Sequence, residues 1–238
     1  MFNECKIKFY AEEEYIKNSP NILPIPTKLN IPSWFKKLDH KIDQKTIKGC
    51  MPFLDAITSG YILKVPTDME LAVKHKDDKI HLNLNIASKD HITNSPEKID
   101  STFHDKNQLE GSPMIEKNNG MPFLKIMNPW TIRTPKGYSC LFLNVLNNNQ
   151  NNFEIISGIV DTDIYRNKIN FPIVFKKHTK ENSYSIKAGT PYVQVIPFKR
   201  DHWKMEVKKD SKPNIGIGFW TSFLHSYKTK VWKKKKWT

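Results

Sequence analysis

Two aspartates, Asp161 and Asp163, lie two positions apart in the run Gly158-Ile159-Val160-Asp161-Thr162-Asp163-Ile164-Tyr165-Arg166. This acidic motif is the one in the chain with a chemical reading. The structural alternative is that both aspartates are turn residues at a strand end.

A second pattern is His75-Lys76-Asp77, an H-x-D tripeptide. With His178 or His202 as a distal ligand and Arg200 for an acidic cosubstrate, it would suit an iron-dependent oxygenase on a β-barrel. The same tripeptide runs into Asp77-Asp78, where a hairpin needs its turn. The other histidines show no metal-ligand spacing. Cys5, Cys50 and Cys140 are widely separated, with no C-x-x-C, and fit neither a disulfide framework nor a zinc site. No metal site is predicted from these residues.

A third pattern lies at the C-terminus, where Trp232 and Trp237 bracket Lys233, Lys234, Lys235 and Lys236. Aromatic anchors among lysines suit a partner-binding surface, with charge steering the approach and apolar area holding the contact. Partners of this kind are another protein or a polyanion bound without sequence specificity.

Charge distribution agrees. The chain has 238 residues, 38 Lys plus Arg against 24 Asp plus Glu, and a net charge of +14. Residues 199–238 hold 12 bases and 3 acids, so they supply +9 of that excess. Arg133, Arg166 and Arg200 are the arginines and every other base is lysine. Bidentate recognition of phosphate or guanine favours arginine, so the lysine surplus points to nonspecific attraction. Lysine and asparagine abundance also fits an AT-rich genome.

Hydrophobic residues are 38% and aromatic residues 11%, enough for a core, and 15 prolines against 9 glycines suit a β-rich chain. No apolar run approaches the ~20 residues that span a bilayer. The N-terminal residues lack an apolar stretch and turn acidic at once, so no signal peptide is expected.

These residues must be positioned by a β-framework. Short apolar runs rich in Ile, Val, Phe and Tyr alternate with turn clusters from Pro129 to Trp203, which predicts consecutive strands. Strands are expected at 61–66, 69–74 and 79–86, then from 122 through 207. The last of these rests on Trp203, Met205 and Val207 alternating with His202, Lys204 and Glu206. Before them, 6–11 reads as an edge strand and 20–32 as a proline-rich extended segment. Short helices are expected at 33–38 and 50–58, the latter closed by Gly60. Residues 87–119 read as a long loop. Phe219, Trp220, Phe223, Leu224, Tyr227 and Val231 fall at helical spacing and predict an amphipathic helix running into the lysine cluster.

From residue 59 onward the order of motifs resembles the dUTPase and dCTP deaminase family, over about half the chain. Ser59-Gly60-Tyr61-Ile62-Leu63 looks like the family's A-G-Y-D-L turn, with Ile62 in place of its aspartate. Thr134-Pro135-Lys136-Gly137-Tyr138 resembles the segment before the phosphate-binding R-S-G, but Leu143-Asn144-Val145 follows here and the arginine and serine are missing. The Asp161 run is similar to G-[VI]-[IV]-D-x-D-Y, with Ile164 inserted before Tyr165. The segment from Gly189 to Gln194 is similar to the family's G-x-x-[IV]-A-Q strand. The resemblance implies a trimeric β-fold, Asp161 as the residue that activates water, Asp163 beside it, Tyr165 beneath a deoxyribose, Gln194 nearby, and Mg²⁺ as cofactor. The resemblance implies diphosphate hydrolysis, which also needs the phosphate charge neutralised by Mg²⁺, cationic side chains or backbone donors; the missing arginine and serine favour the fold over the activity.

The phrases around Pro129, Asp161 and Pro191 also resemble an uncharacterised protein family of tailed phages, marine ones in particular. That resemblance covers most of the chain. It implies a viral gene product, located in the host cytoplasm or the virion, and brings no mechanism.

The sequence thus predicts a mainly β chain, a single barrel or sandwich of roughly ten strands. Residues 1–60 form an N-terminal arm, 61–210 the β-domain, and 211–238 a basic amphipathic helix and tail. The leading functional expectation is a non-enzymatic binding or assembly protein that associates with itself or with other viral proteins, with no cofactor. A nucleotide-processing enzyme centred on Asp161 is the alternative, and the iron oxygenase a second.

Overall fold

The computed structural model describes residues 5–39, 46–76, 79–86, 103–117, 121–148, 151–175, 182–209 and 227–238. Within them the chain is mainly β, with fourteen strands and four short α-helices. Every strand pair is antiparallel.

The largest sheet has five strands. β2 (Ile25–Pro26), β3 (Tyr61–Lys64), β9 (Tyr138–Leu143), β11 (Gly158–Val160) and β14 (Pro191–Lys199) lie in the order β11-β9-β14-β3-β2. A four-stranded sheet runs β10-β12-β7-β6, built from β6 (Phe103–His104), β7 (Phe123–Ile126), β10 (Phe153–Ile155) and β12 (Phe171–Phe175). A third sheet, β13-β4-β5, joins β13 (Asn182–Ile186), β4 (Met69–Lys76) and β5 (Lys79–Ile86). β1 (Lys8–Tyr10) pairs with β8 (Thr131–Arg133) as a separate ribbon. No sheet closes on itself among the described residues, so of the two expected arrangements, barrel or sandwich, the chain has the sandwich type.

The core sits between the first two sheets. Phe142 of β9 meets Phe171 of β12 at 5.5 Å between ring centres, and Phe171 meets Tyr192 of β14 edge-on at 5.7 Å. Aromatic pairs at such distances add about 0.5–1.5 kcal/mol beyond their area burial. Leu63, Ile126, Ile173, Val193 and Val195 share this core with them, all essentially inaccessible to solvent. β14 carries a register shift between Pro191 and Val193, which lets Tyr192 and Val193 both enter the core.

Gly60 shows why a glycine precedes β3. Its φ is +70°, and a Cβ there would stand 2.1 Å from the Val195 carbonyl oxygen. The backbone of β14 passes where any side chain would be.

The helices are short and anchor the N-terminal part. α1 (Glu13–Asn18) buries Tyr15 edge-on against Trp130. α2 (Ser33–Lys37) buries Phe35, which stacks on Phe53 of α3 (Met51–Ala56) at 5.5 Å. The proline-rich stretch is partly ordered, as two 3₁₀ turns flanking β2. Within the expected loop 87–119, residues 87–102 lie outside the described residues. The remainder contains β6 and α4 (Pro113–Lys117).

One sequence expectation is corrected. β14 ends at Lys199 and 201–209 form no strand. The cause is the end of its partner: Lys199 pairs with Tyr138, the first residue of β9, and the ladder has nothing beyond it. The expected C-terminal helix falls largely on 219–226, which with the rest of 210–226 lies outside the described residues; Tyr227–Val231 is a single π-helical turn, and 232–238 are non-helical. No helix among the described residues is long and apolar enough to cross a membrane.

Candidate functional site

The Asp161 motif begins where β11 ends. The chain turns there, and the amides of Ile164 and Tyr165 both donate to the Asp161 carbonyl at 3.0 and 2.8 Å. Thr162 is buried beneath this turn. Its hydroxyl shares a 2.7 Å hydrogen bond with that of Thr134 and donates to the Cys140 thiol at 3.3 Å. Burial pushes the Cys140 thiol up to about 11, so it stays protonated at neutral pH.

Asp163 points inward, with its side chain only 4% exposed. Arg200 meets it at two points, Nη1 to Oδ1 at 2.9 Å and Nη2 to Oδ2 at 2.5 Å. The Gly137 amide donates to the same carboxylate at 2.8 Å. Gly137 adopts a φ of +84° in the turn before β9, which exposes that amide. Hydrogen bonding from Arg200, then from the Gly137 amide, holds the Asp163 carboxyl down at about 2.

Arg200 is tied down further. Its Nη1 donates to the Tyr138 carbonyl and the Ser139 hydroxyl, and its own amide donates to the Gly137 carbonyl. Asp161 is different. Its side chain is 57% exposed, accepts a hydrogen bond from the Ser139 hydroxyl at 2.6 Å, and lies 3.2 Å from Arg200 Nη1. The two aspartates therefore share one guanidinium. Asp163 takes its planar fork and Asp161 its side.

Tyr165 is half exposed on the outside of the turn. Gln194 lies elsewhere. It pairs with Leu143, whereas Phe198 pairs with Ser139. Four residues of β14, roughly 13 Å, thus separate Gln194 from the level of Asp161. Gln194 is fully buried. Its oxygen accepts from the Leu146 amide at 2.9 Å, and its nitrogen donates to the carbonyls of Ala56 and Ser59 at 2.9 and 2.7 Å. It joins α3 to the sheet. The structure brings Asp161, Asp163 and Tyr165 together and leaves Gln194 apart.

For the oxygenase pattern, His75 lies on β4, opposite Ile80, and His202 is exposed. Asp77 and His178 lie outside the described residues. No group of three or more His, Cys, Asp or Glu among the described residues could hold a metal ion.

The C-terminal tail rests on α3 and β3. Trp232 Nε1 donates to both carboxylate oxygens of Asp55 at 3.1 and 3.0 Å, and Lys235 Nζ reaches the same carboxylate at 2.5 Å. Trp237 packs edge-on against Tyr61 at 6.1 Å, and the Tyr61 hydroxyl donates to the main-chain oxygen of Thr238 at 3.2 Å. Both tryptophans are half-buried. Lys233, Lys234 and Lys236 are exposed. Asp55 was not apparent as a site residue in the sequence. Its signal was an isolated acid on a short helix in a chain with a cationic tail. From sequence Arg200 suits an acidic cosubstrate, whereas its place beside Gly137 and Asp163 depends on strand pairing.

No family model matches the chain, and no curated protein matches it. Among solved structures it is similar to a mutant dUTPase from phage phi11 of Staphylococcus aureus, described with a structural Mg(II) ion. That match has 16% identity and a TM-score of 0.27, and covers 38% of this chain and 71% of the other. It is also similar to a mutant dUTPase of Staphylococcus bacteriophage 80alpha with dUpNHpp, at 15% identity and a TM-score of 0.26, covering 38% and 74%.

Proposed function

We propose that this chain is a phage-encoded, non-enzymatic binding or assembly protein whose contact element is the basic tail, 228–238. One observation carries the reading. The tail is seated on the chain's own body through Trp232, Trp237 and Lys235, so Lys233, Lys234 and Lys236 are held in one place and face solvent. A fixed cluster of cations loses less freedom on binding than a floppy one. Six lysines and no acids in eleven residues raise encounter rates with anionic partners, an effect that salt screens. The viral origin rests on the phage-like phrases of the sequence.

The test is binding of the full chain to duplex DNA and to heparin as model polyanions across a salt series. The expected result is an affinity that falls steeply with salt, with a shallower slope when Lys233, Lys234 and Lys236 are replaced by Gln. Lys235 is left in place because it pairs with Asp55. Affinity and slope unchanged by the three substitutions would overturn the reading.

A nucleotide-processing enzyme centred on Asp161 is the second reading, supported by the exposure of that carboxylate. The surroundings do not fit Mg²⁺. Asp161 Oδ1 is shared by the Ser139 hydroxyl and the Arg200 guanidinium, a donor set that satisfies a carboxylate without a metal. Arg200 is also committed to Asp163, so its fork is not offered to a phosphate.

A further inference from the structure

After Arg200 the chain continues through 201–209 with no secondary structure, yet its apolar residues fall at every second position. Trp203, Met205 and Val207 are 90%, 87% and 86% exposed. Lys204, Glu206 and Lys208 alternate with them, and Glu206 and Lys208 form an ion pair at 3.0 Å. Period-2 alternation marks a strand with one face meant for burial. Scattered exposed apolar residues are ordinary, but three in register on one side of an extended segment form a docking face.

We propose that 201–209 is a strand donated to the open edge of β5 in a second copy of this chain. Among the described residues β5 is outermost in its sheet. It is eight residues long, against nine in the donated segment. Its inward residues Leu82, Leu84 and Ile86 also recur at period 2 and pack against the core, but are only partly buried. An edge strand presents unpaired backbone donors and acceptors to a neighbour. A strand added about 4.8 Å outside β5 would place Trp203, Met205 and Val207 beside Leu82, Leu84 and Ile86 and extend the apolar layer.

The geometry points to a second copy because the chain's own β5 is badly placed. The β13-β4-β5 sheet joins the body near 188–190, where Val65 exchanges hydrogen bonds with Gly189 and Thr190 and Asp68 accepts from the Ala188 amide. The donated segment leaves from the other end of β14. Eight residue steps, roughly 26 Å, separate the two ends of that strand. Arg200 fixes the point of departure, so the segment cannot swing freely back.

The proposal is independent of the tail. Its test is sedimentation of the full chain over a concentration series, comparing two triple variants. Trp203→Ser, Met205→Ser and Val207→Ser remove the apolar face. Lys204→Gln, Glu206→Gln and Lys208→Gln alter the opposite one. All six side chains lie in a segment without secondary structure, and circular dichroism confirms that both variants fold. The expected result is a self-associating native chain whose dissociation constant rises at least about tenfold in the first variant and little in the second. Amine cross-linking of mixed ¹⁴N and ¹⁵N copies should join lysines of 201–209 to lysines of the β4–β5 hairpin across copies. A native chain that stays monomeric, an association equally strong in both variants, or cross-links within single copies only would each overturn the proposal.

Discussion

Arg200 and Asp163 join the ends of three strands at one corner of the sandwich. Arg200 follows β14, Asp163 follows β11, and both bond to Gly137, just before β9: Asp163 accepts from its amide and the Arg200 amide donates to its carbonyl. One of the two carboxylates of the acidic motif, Asp163, is therefore the ion that closes the sheet corner. A planar guanidinium suits this role because it presents two parallel donors in a fixed geometry, which an ammonium cannot.

The first prediction concerns acid. The folded Asp163 carboxyl lies at about 2 against an ordinary value of 3.8. As pH falls, the unfolded chain takes up that proton first. The contribution of Asp163 is therefore complete above about pH 4 and lost between about 4 and 2. Asp163→Asn and Arg200→Lys should each melt below the native chain at pH 6, by a few degrees. The difference between Asp163→Asn and the native chain should close as pH approaches 2. Thermal melts followed by circular dichroism would show this, and a gap that stays constant from pH 6 to 2 would count against it.

Gly60 carries the second prediction. Alanine there must adopt a left-handed φ, at about 1–2 kcal/mol, and must also displace the Val195 carbonyl. Gly111 has a similar φ of +79° but open space around it. Gly60→Ala should lower the melting temperature far more than Gly111→Ala, or prevent folding. Equal effects in the two would mean that the β14 backbone can yield.

Asp55 is the subject of the third. It accepts from Trp232 and pairs with Lys235. Asp55→Ala should free the tail, and limited tryptic cleavage after Lys233 to Lys236 should accelerate several-fold while the β-domain stays intact. An unchanged cleavage rate would leave the Trp237–Tyr61 contact as sufficient to hold the tail.

The fourth concerns activity. The chain should not hydrolyse dUTP at the ~1–10³ per second typical of enzymes. A Mg²⁺-dependent rate in that range that vanishes in Asp161→Asn would establish the enzyme reading instead.

Much of the framework was legible because it is local. Apolar alternation locates β9 and β12, Gly60 marks the turn into β3, and the runs from Ser33 and from Cys50 locate the short helices. What escaped depends on distant partners. Alternation through Trp203, Met205 and Val207 says strand, but a strand lasts only as long as its ladder, and β9 begins at Tyr138. Motif order placed Gln194 with Asp161, whereas its amide is consumed by Leu146, Ala56 and Ser59. Trp232 and Asp55 are 177 positions apart, and no periodicity connects them.

The position of β14 has a consequence for how the chain is made. This strand lies between β9 and β3, with Tyr138–Leu143 on one side and Tyr61–Lys64 on the other, yet it is the last strand in chain order among those described. Until a ribosome has added its residues, the two halves of the main sheet have no strand to join them, and both inner edges stand open. At ~5–20 residues per second, the 56 residues from the end of β9 to the end of β14 take roughly 3–11 s. Translation speed and chaperone occupancy over that interval, more than the strength of any single contact, would then govern how much of the product escapes aggregation.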